Sequence, residues 1–203
     1  MTTVATVAGR PVPVAEVDAR ESRLRAGPFA AALPRPGTSE GRQLRRWVTQ
    51  LLVSEQVIAL EAQALGLDGG DTPSEVHLLP DYGARLEVGS IAAAALQQPI
   101  ARALFVHLTT DIGIVDAQIA DYHSRNPLRF APPVPTQCGW RTAQTEPCAL
   151  DDVREAIAQH LLGSARRMAF RRWLDARCAE LVHLAPGYEH PGDPRQPDNT
   201  HTH

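Results

Sequence analysis

A chain of 203 residues, 43% of them hydrophobic, is long enough to bury one sizeable core, which argues against wholesale disorder. The formal net charge of -3 gives no electrostatic reason to expect nucleic acid as a partner. All twenty basic residues are arginine, so Schiff-base chemistry and lysine-dependent phosphate loops are excluded, and with abundant Ala, Pro and Gly the composition reads as the coding bias of a GC-rich genome, such as an actinobacterial one.

The N-terminal stretch has no basic region followed by an apolar run, so no signal peptide is expected. No apolar run approaches the roughly twenty residues that span a bilayer, so no membrane association is expected. Cys138, Cys148 and Cys178 are odd in number and lack metal-ligand spacing, which fits reduced thiols in a cytoplasm.

Val4 to Ala8 alternates weakly and is β-branched, predicting a short strand, with a turn at Gly9-Arg-Pro11. Val14 to Arg25 has helical character. Gly27-Pro28 and Pro34-Arg-Pro-Gly37 bound a loop. A long helix follows, capped by Thr38 or Ser39, with Leu44, Trp47, Val48, Leu51, Leu52, Glu55, Ile58, Ala62 and Leu65 forming a core stripe with one polar member. Gly66 supplies the left-handed residue that ends it. The arginines Arg42, Arg45, Arg46, Arg166, Arg167, Arg171 and Arg172 are expected on solvated helix faces.

Asp68 to Asp81 reads as a polar loop, Leu86–Leu96 and Ile100–Thr109 as two small-residue helices separated by Pro99, and Ile112–Val115 as an extended link. Asp116 is placed to cap a helix running to Ser124. The proline-rich Ala131-Pro-Pro-Val-Pro135 cannot be helical. From Leu150, a stripe of Leu150, Val153, Ile157, Leu161, Ala165, Met168, Trp173, Leu174, Cys178 and Leu181 predicts a helix of about thirty residues, some 45 Å long, which Gly163-Ser164 is placed to bend. Beyond Pro186 the chain is rich in Pro, Gly, Asp and His.

Several residue groups carry candidate chemistry. His107 and Asp111, four apart, present either a carboxylate-oriented general base or a partly buried histidine satisfied by an acid. Tyr122 lies with Asp121, His123 and Arg125 on one short helix, as an acid/base group or as core with its hydroxyl bonded at the surface. Arg125-Asn-Pro-Leu-Arg129 brings two guanidinium groups that suit a carboxylate or phosphate. Cys138, beside Gly139 and Trp140, is either an exposed nucleophile adding to a conjugated acyl chain or an inert thiol. In the tail, His190, His201 and His203 are candidate ligands for a divalent metal, and Tyr188 and the prolines argue for an ordered segment folding back as a lid. A solvated terminus is the alternative. No dinucleotide fingerprint, phosphate loop or nucleophile elbow is present, so no organic cofactor is expected.

Three segments together resemble the core of SurA-type chaperones, relatives of the parvulin-type prolyl isomerases. Val7-Ala-Gly-Arg-Pro-Val-Pro-Val-Ala-Glu-Val17 is similar to the family's opening strand, turn and first helix. Arg46 to Leu67 resembles its long helix ending in a Leu-Gly pair. Val115 to Phe130, followed by Leu150 to Leu181, resembles its exit helix and returning C-terminal helix. The matches cover around half the chain, leave Asp71–Asp111 as an inserted segment, and leave the tail after Pro186 without a counterpart.

The resemblance implies a mainly α fold: one domain over 1–185, with a short N-terminal strand element, two long packed helices and a groove for apolar ligands, followed by a tail over 186–203. Only about twenty residues separate the exit helix from the next, too few for a parvulin domain, so no prolyl isomerase activity is expected. The expected function is cytoplasmic binding of a hydrophobic small molecule, pathway intermediate or polypeptide segment, with a homodimer allowed. The alternative is a cofactor-independent isomerase or cyclase of a small hydrophobic substrate in specialised metabolism.

Overall fold

The computed structural model describes residues 2–130 and 147–189 and is mainly α-helical, with a small antiparallel sheet. Strands β1 (Thr3–Val7) and β2 (Arg10–Pro13) form a hairpin. Its turn is Ala8-Gly9, with φ of 47° and 78°, the two positive angles that a tight two-residue hairpin connection requires. The turn thus lies earlier than the proline-based expectation, and Arg10–Pro13 pairs as an edge strand, where Pro11 and Pro13 need not supply inner ladder donors.

Helix α1 (Val14–Arg25) follows directly, then a 3-10 turn at Ala30–Ala32 and the long α2 (Ser39–Ala64). The Thr38 hydroxyl caps α2 by accepting from the Gly41 amide at 3.1 Å. The apolar stripe is wider than two of its expected edges: Val53 and Val57 are also buried, because α1, β1 and later helices pack around α2. The polar member Glu55 is neutralised by Arg20 of α1. Leu65 is 45% exposed, beyond the reach of the core.

The segment read as a polar loop contains a short helix, α3 (Glu75–Leu78), capped by the Ser74 hydroxyl. Helices α4 (Tyr82–Val88), α5 (Ser90–Ala95) and α6 (Pro99–Thr109) follow; Gly89 divides what the sequence read as one helix. Asp81 starts α4 by accepting from the Ala84 amide at 2.8 Å. The alanines Ala92, Ala93 and Ala95 are buried, and α5 and α6 both lie against α2, so this segment belongs to the main core.

After an extended link comes α7 (Asp116–Arg125), whose first turn is closed by the Gln118 side chain accepting from the Val115 amide at 3.0 Å; Asp116 is within the helix rather than its cap. The 32-residue α8 (Leu150–Leu181) runs back to the hairpin and passes directly into β3 (Val182–Leu184). Strand β3 pairs antiparallel with β1, giving the order β2-β1-β3. That third strand was not expected from sequence. Its signal, Val-His-Leu, is too short to stand apart from the helix it extends.

The two long helices pack together as expected. The burial on α8, however, is not one stripe. Its N-terminal half buries Val153 and Ile157 against Ile119 of α7, forming a small separate cluster. Its C-terminal half buries Phe170 and Leu174 in the main core. At 3.6 residues per turn those faces lie about 100° apart, so extending the first stripe places Met168 on the core side, whereas Met168 is 49% exposed. Trp47 is only half-buried, with its indole N–H donating to Ser90 at 3.2 Å, so the full cavity cost of a buried aromatic belongs to Phe170 instead.

Candidate functional site

Where α8 passes from one core to the other, its central turn faces neither. That turn, with α3, α4 and α6, encloses a cavity of about 490 Å³. Such a volume falls within the range of small-molecule pockets. Its apolar wall comes from Leu78, Ala84, Phe105, Val106 and Leu162, with Pro73 and Pro80 from the bends around α3. The exposed lining residues His77, Val106, Arg129 and Gln159 mark its solvent side.

The floor is polar and closely ordered. Arg167, nearly fully buried, donates from Nε to Glu87 Oε2 at 2.7 Å and from a terminal nitrogen to the Leu78 carbonyl at 3.2 Å. Ser164 donates to the other Glu87 oxygen at 3.0 Å. Gly163 allows this crossing: a Cβ there would stand 2.9 Å from an Arg167 nitrogen. The arginine expected on a solvated face is therefore buried, because α4 supplies a carboxylate and α3 a carbonyl to receive it. Arg46 is buried as well, donating to the Gly187 carbonyl at 3.2 Å.

His160 lines the cavity from α8 and was not among the sequence candidates. Its Nε2 and the Tyr122 hydroxyl share a hydrogen bond of 3.1 Å, and the Tyr122, Phe130 and His160 rings pack with centroids 5.4–6.3 Å apart. Burial, and then the positive charges of Arg129 and Arg167, hold the imidazole below its ordinary value against the opposing pull of Glu87 and Asp81. The neutral ring is thus the form favoured by folding. Its contribution to stability is fully present above the unfolded value of about 6.5 and is lost as pH falls through the folded value. Acidification from about pH 7.5 to about 5 should therefore lower the urea midpoint, and His160→Gln should reduce that loss. An unchanged difference between the two pH values in the variant rejects the assignment.

The sequence candidates separate in space. Tyr122 stands behind His160, and Arg129 is on the cavity rim. Arg125 points elsewhere, paired along α7 with Asp121. His123 donates from Nε2 to the Cys148 carbonyl at 3.0 Å, tying α7 to the start of α8. His107 is exposed and Asp111 lies past the end of α6; among the described residues no hydrogen bond joins them. A helix that stops at Thr109 cannot present the two on one face. His107 borders a separate depression with residues 66–72.

Tyr188 packs against the main core beside Pro13, Val14 and Asp18, with its carbonyl accepting from Gln50 at 3.2 Å. The described beginning of the tail therefore folds onto α2 and does not line the cavity. Cys138, Trp140, His190, His201 and His203 lie outside the described residues. Burial pushes the Cys178 thiol up, although the Ser54 hydroxyl 3.7 Å away partly opposes this. Among the described residues there is no group of three or more potential metal ligands, and no helix is long and apolar enough to cross a membrane.

Residues 3–40, from the hairpin through the start of α2, match the model of a family of unknown function (DUF7158). The chain matches no curated protein and no solved structure.

Proposed function

We propose that the protein binds a small, largely apolar molecule, a free ligand or a pathway intermediate, in the cavity between α8 and the α3–α4–α6 wall. The observation that carries this reading is the composition of that cavity: about 490 Å³ of space, an apolar wall, and a few ordered polar groups on one side. Such a combination favours burial of an apolar body while fixing its orientation. The likeness to a SurA-type chaperone core is supported by the chain order of strand, long helix, exit helix and returning helix. A cavity of this size suits a small molecule better than a polypeptide segment.

The test uses 4-phenylbutyrate and its uncharged amide as probes, followed by titration calorimetry. Saturable binding of either probe is expected, and Val106→Trp, which fills the solvent side from a partly exposed position, should weaken it by about tenfold or more. Absence of binding, or binding indifferent to Val106→Trp, rejects the reading.

A second reading is an isomerase or cyclase working by acid/base groups, and the Tyr122–His160 hydrogen bond favours it. A neutral imidazole at a cavity wall can accept a proton, while the phenol fixes its orientation. Deuterium uptake from solvent into a bound carbonyl compound, abolished by His160→Gln with binding retained, distinguishes catalysis from simple binding.

A further inference from the structure

We infer that Arg166, with Arg129 at the rim, seats a carboxylate, so that the ligand class is an apolar molecule with a single anionic head. The inference rests on the cavity being a binding site and concerns the chemistry that it selects. Three arginines and two carboxylates line the cavity. The carboxylates are already engaged: Glu87 receives Arg167 on one oxygen and Ser164 on the other, and Asp81 accepts from the Ala84 amide. Arg167 is committed to Glu87 and the Leu78 carbonyl.

Arg166 has no such assignment. Its Nε is buried yet has no hydrogen-bond partner, and it makes no ion pair among the described residues. Holding a guanidinium partly out of water is costly, and although the Nε itself is shielded, an anionic oxygen in the cavity would meet the terminal nitrogens of the same group and offset that cost through its charge. Arg129 adds a second planar donor on the exposed side. By formal charge, three arginines against two carboxylates leave one positive charge in excess, which matches a carboxylate better than a phosphate dianion. The same field is felt at His160, whose imidazole sits beside Arg129 and Arg167.

Geometry then orders the ligand. The head lies between α8 and the rim, and the apolar body extends toward Phe105 and Leu162.

The experiment compares 4-phenylbutyrate with 4-phenylbutanamide on the full chain by titration calorimetry, in the parent protein, Arg166→Met and Arg129→Met. The parent should bind the carboxylate about tenfold or more tightly than the amide, since charge-assisted hydrogen bonds are the stronger class. Arg166→Met should remove most of that preference, and Arg129→Met should reduce it in part. Circular dichroism identifies a variant that fails to fold, in which case the remaining variant decides. Equal affinity of the parent for both probes, or a preference that survives both substitutions, overturns the carboxylate seat and leaves the cavity reading intact. Binding of neither probe overturns both.

Discussion

Replacing Phe170 with alanine is expected to lower the unfolding free energy by about 3–5 kcal/mol, the range found when a buried aromatic side chain is truncated. Phe170 is fully buried on α8. Its ring meets Phe105 of α6 with centroids 5.3 Å apart and stacks on Trp173 at 5.7 Å. The site has little freedom to collapse, because long helices on either side hold their spacing through many other contacts. Phe105 also lines the cavity, so the space vacated by Phe170 would adjoin an existing void rather than be filled by its neighbours. The upper part of the range is therefore favoured. Urea denaturation monitored by far-ultraviolet circular dichroism provides the measurement, with the m-value checked for constancy. A loss below about 1 kcal/mol would contradict the placement of this ring.

Glu87→Ala is the second substitution with a large expected effect, about 3 kcal/mol, at the low end for breaking a buried ion pair because the Glu87 side chain keeps 31% exposure. The cost arises mainly on the partner. Arg167, with a side chain 8% exposed, would retain its charge and lose its carboxylate. Ser164 would lose its acceptor as well. Pairing Glu87→Ala with Arg167→Met should recover part of the loss, since the double variant leaves no unpaired charge. A double-mutant cycle in urea gives the coupling directly. Additive losses from the two single changes would mean that the pair contributes nothing beyond its separate side chains. High salt should alter the coupling little, because screening acts weakly on a shielded pair.

These two residues illustrate what was legible beforehand. Both long helices were readable because period and capping agree: the α2 stripe recurs at three- and four-residue steps, and Thr38 and Gly66 mark its ends. The burial of Phe170 is not legible in the sequence, because a stripe extrapolated along α8 leads to Met168. The change of buried face occurs midway, where one partner gives way to another, and no periodicity within the helix records it. His160 carried no local signal either. A lone histidine between Gln159 and Leu161 acquires meaning only from Tyr122, 38 residues earlier in the chain.

The mainly helical fold, the N-terminal strand, the long helices and the candidacy of Tyr122 and Arg129 are legible locally, because each is set by neighbours within a few residues. Contacts between remote segments set the third strand, the burial of Arg167 and the meeting of His160, Arg129 and Arg166 at one cavity. Those outcomes depend on charge pairs and voids formed between segments distant in sequence. Burial of an arginine is unfavourable until a remote carboxylate and carbonyl are brought to it, and a cavity exists only where three or more elements fail to close.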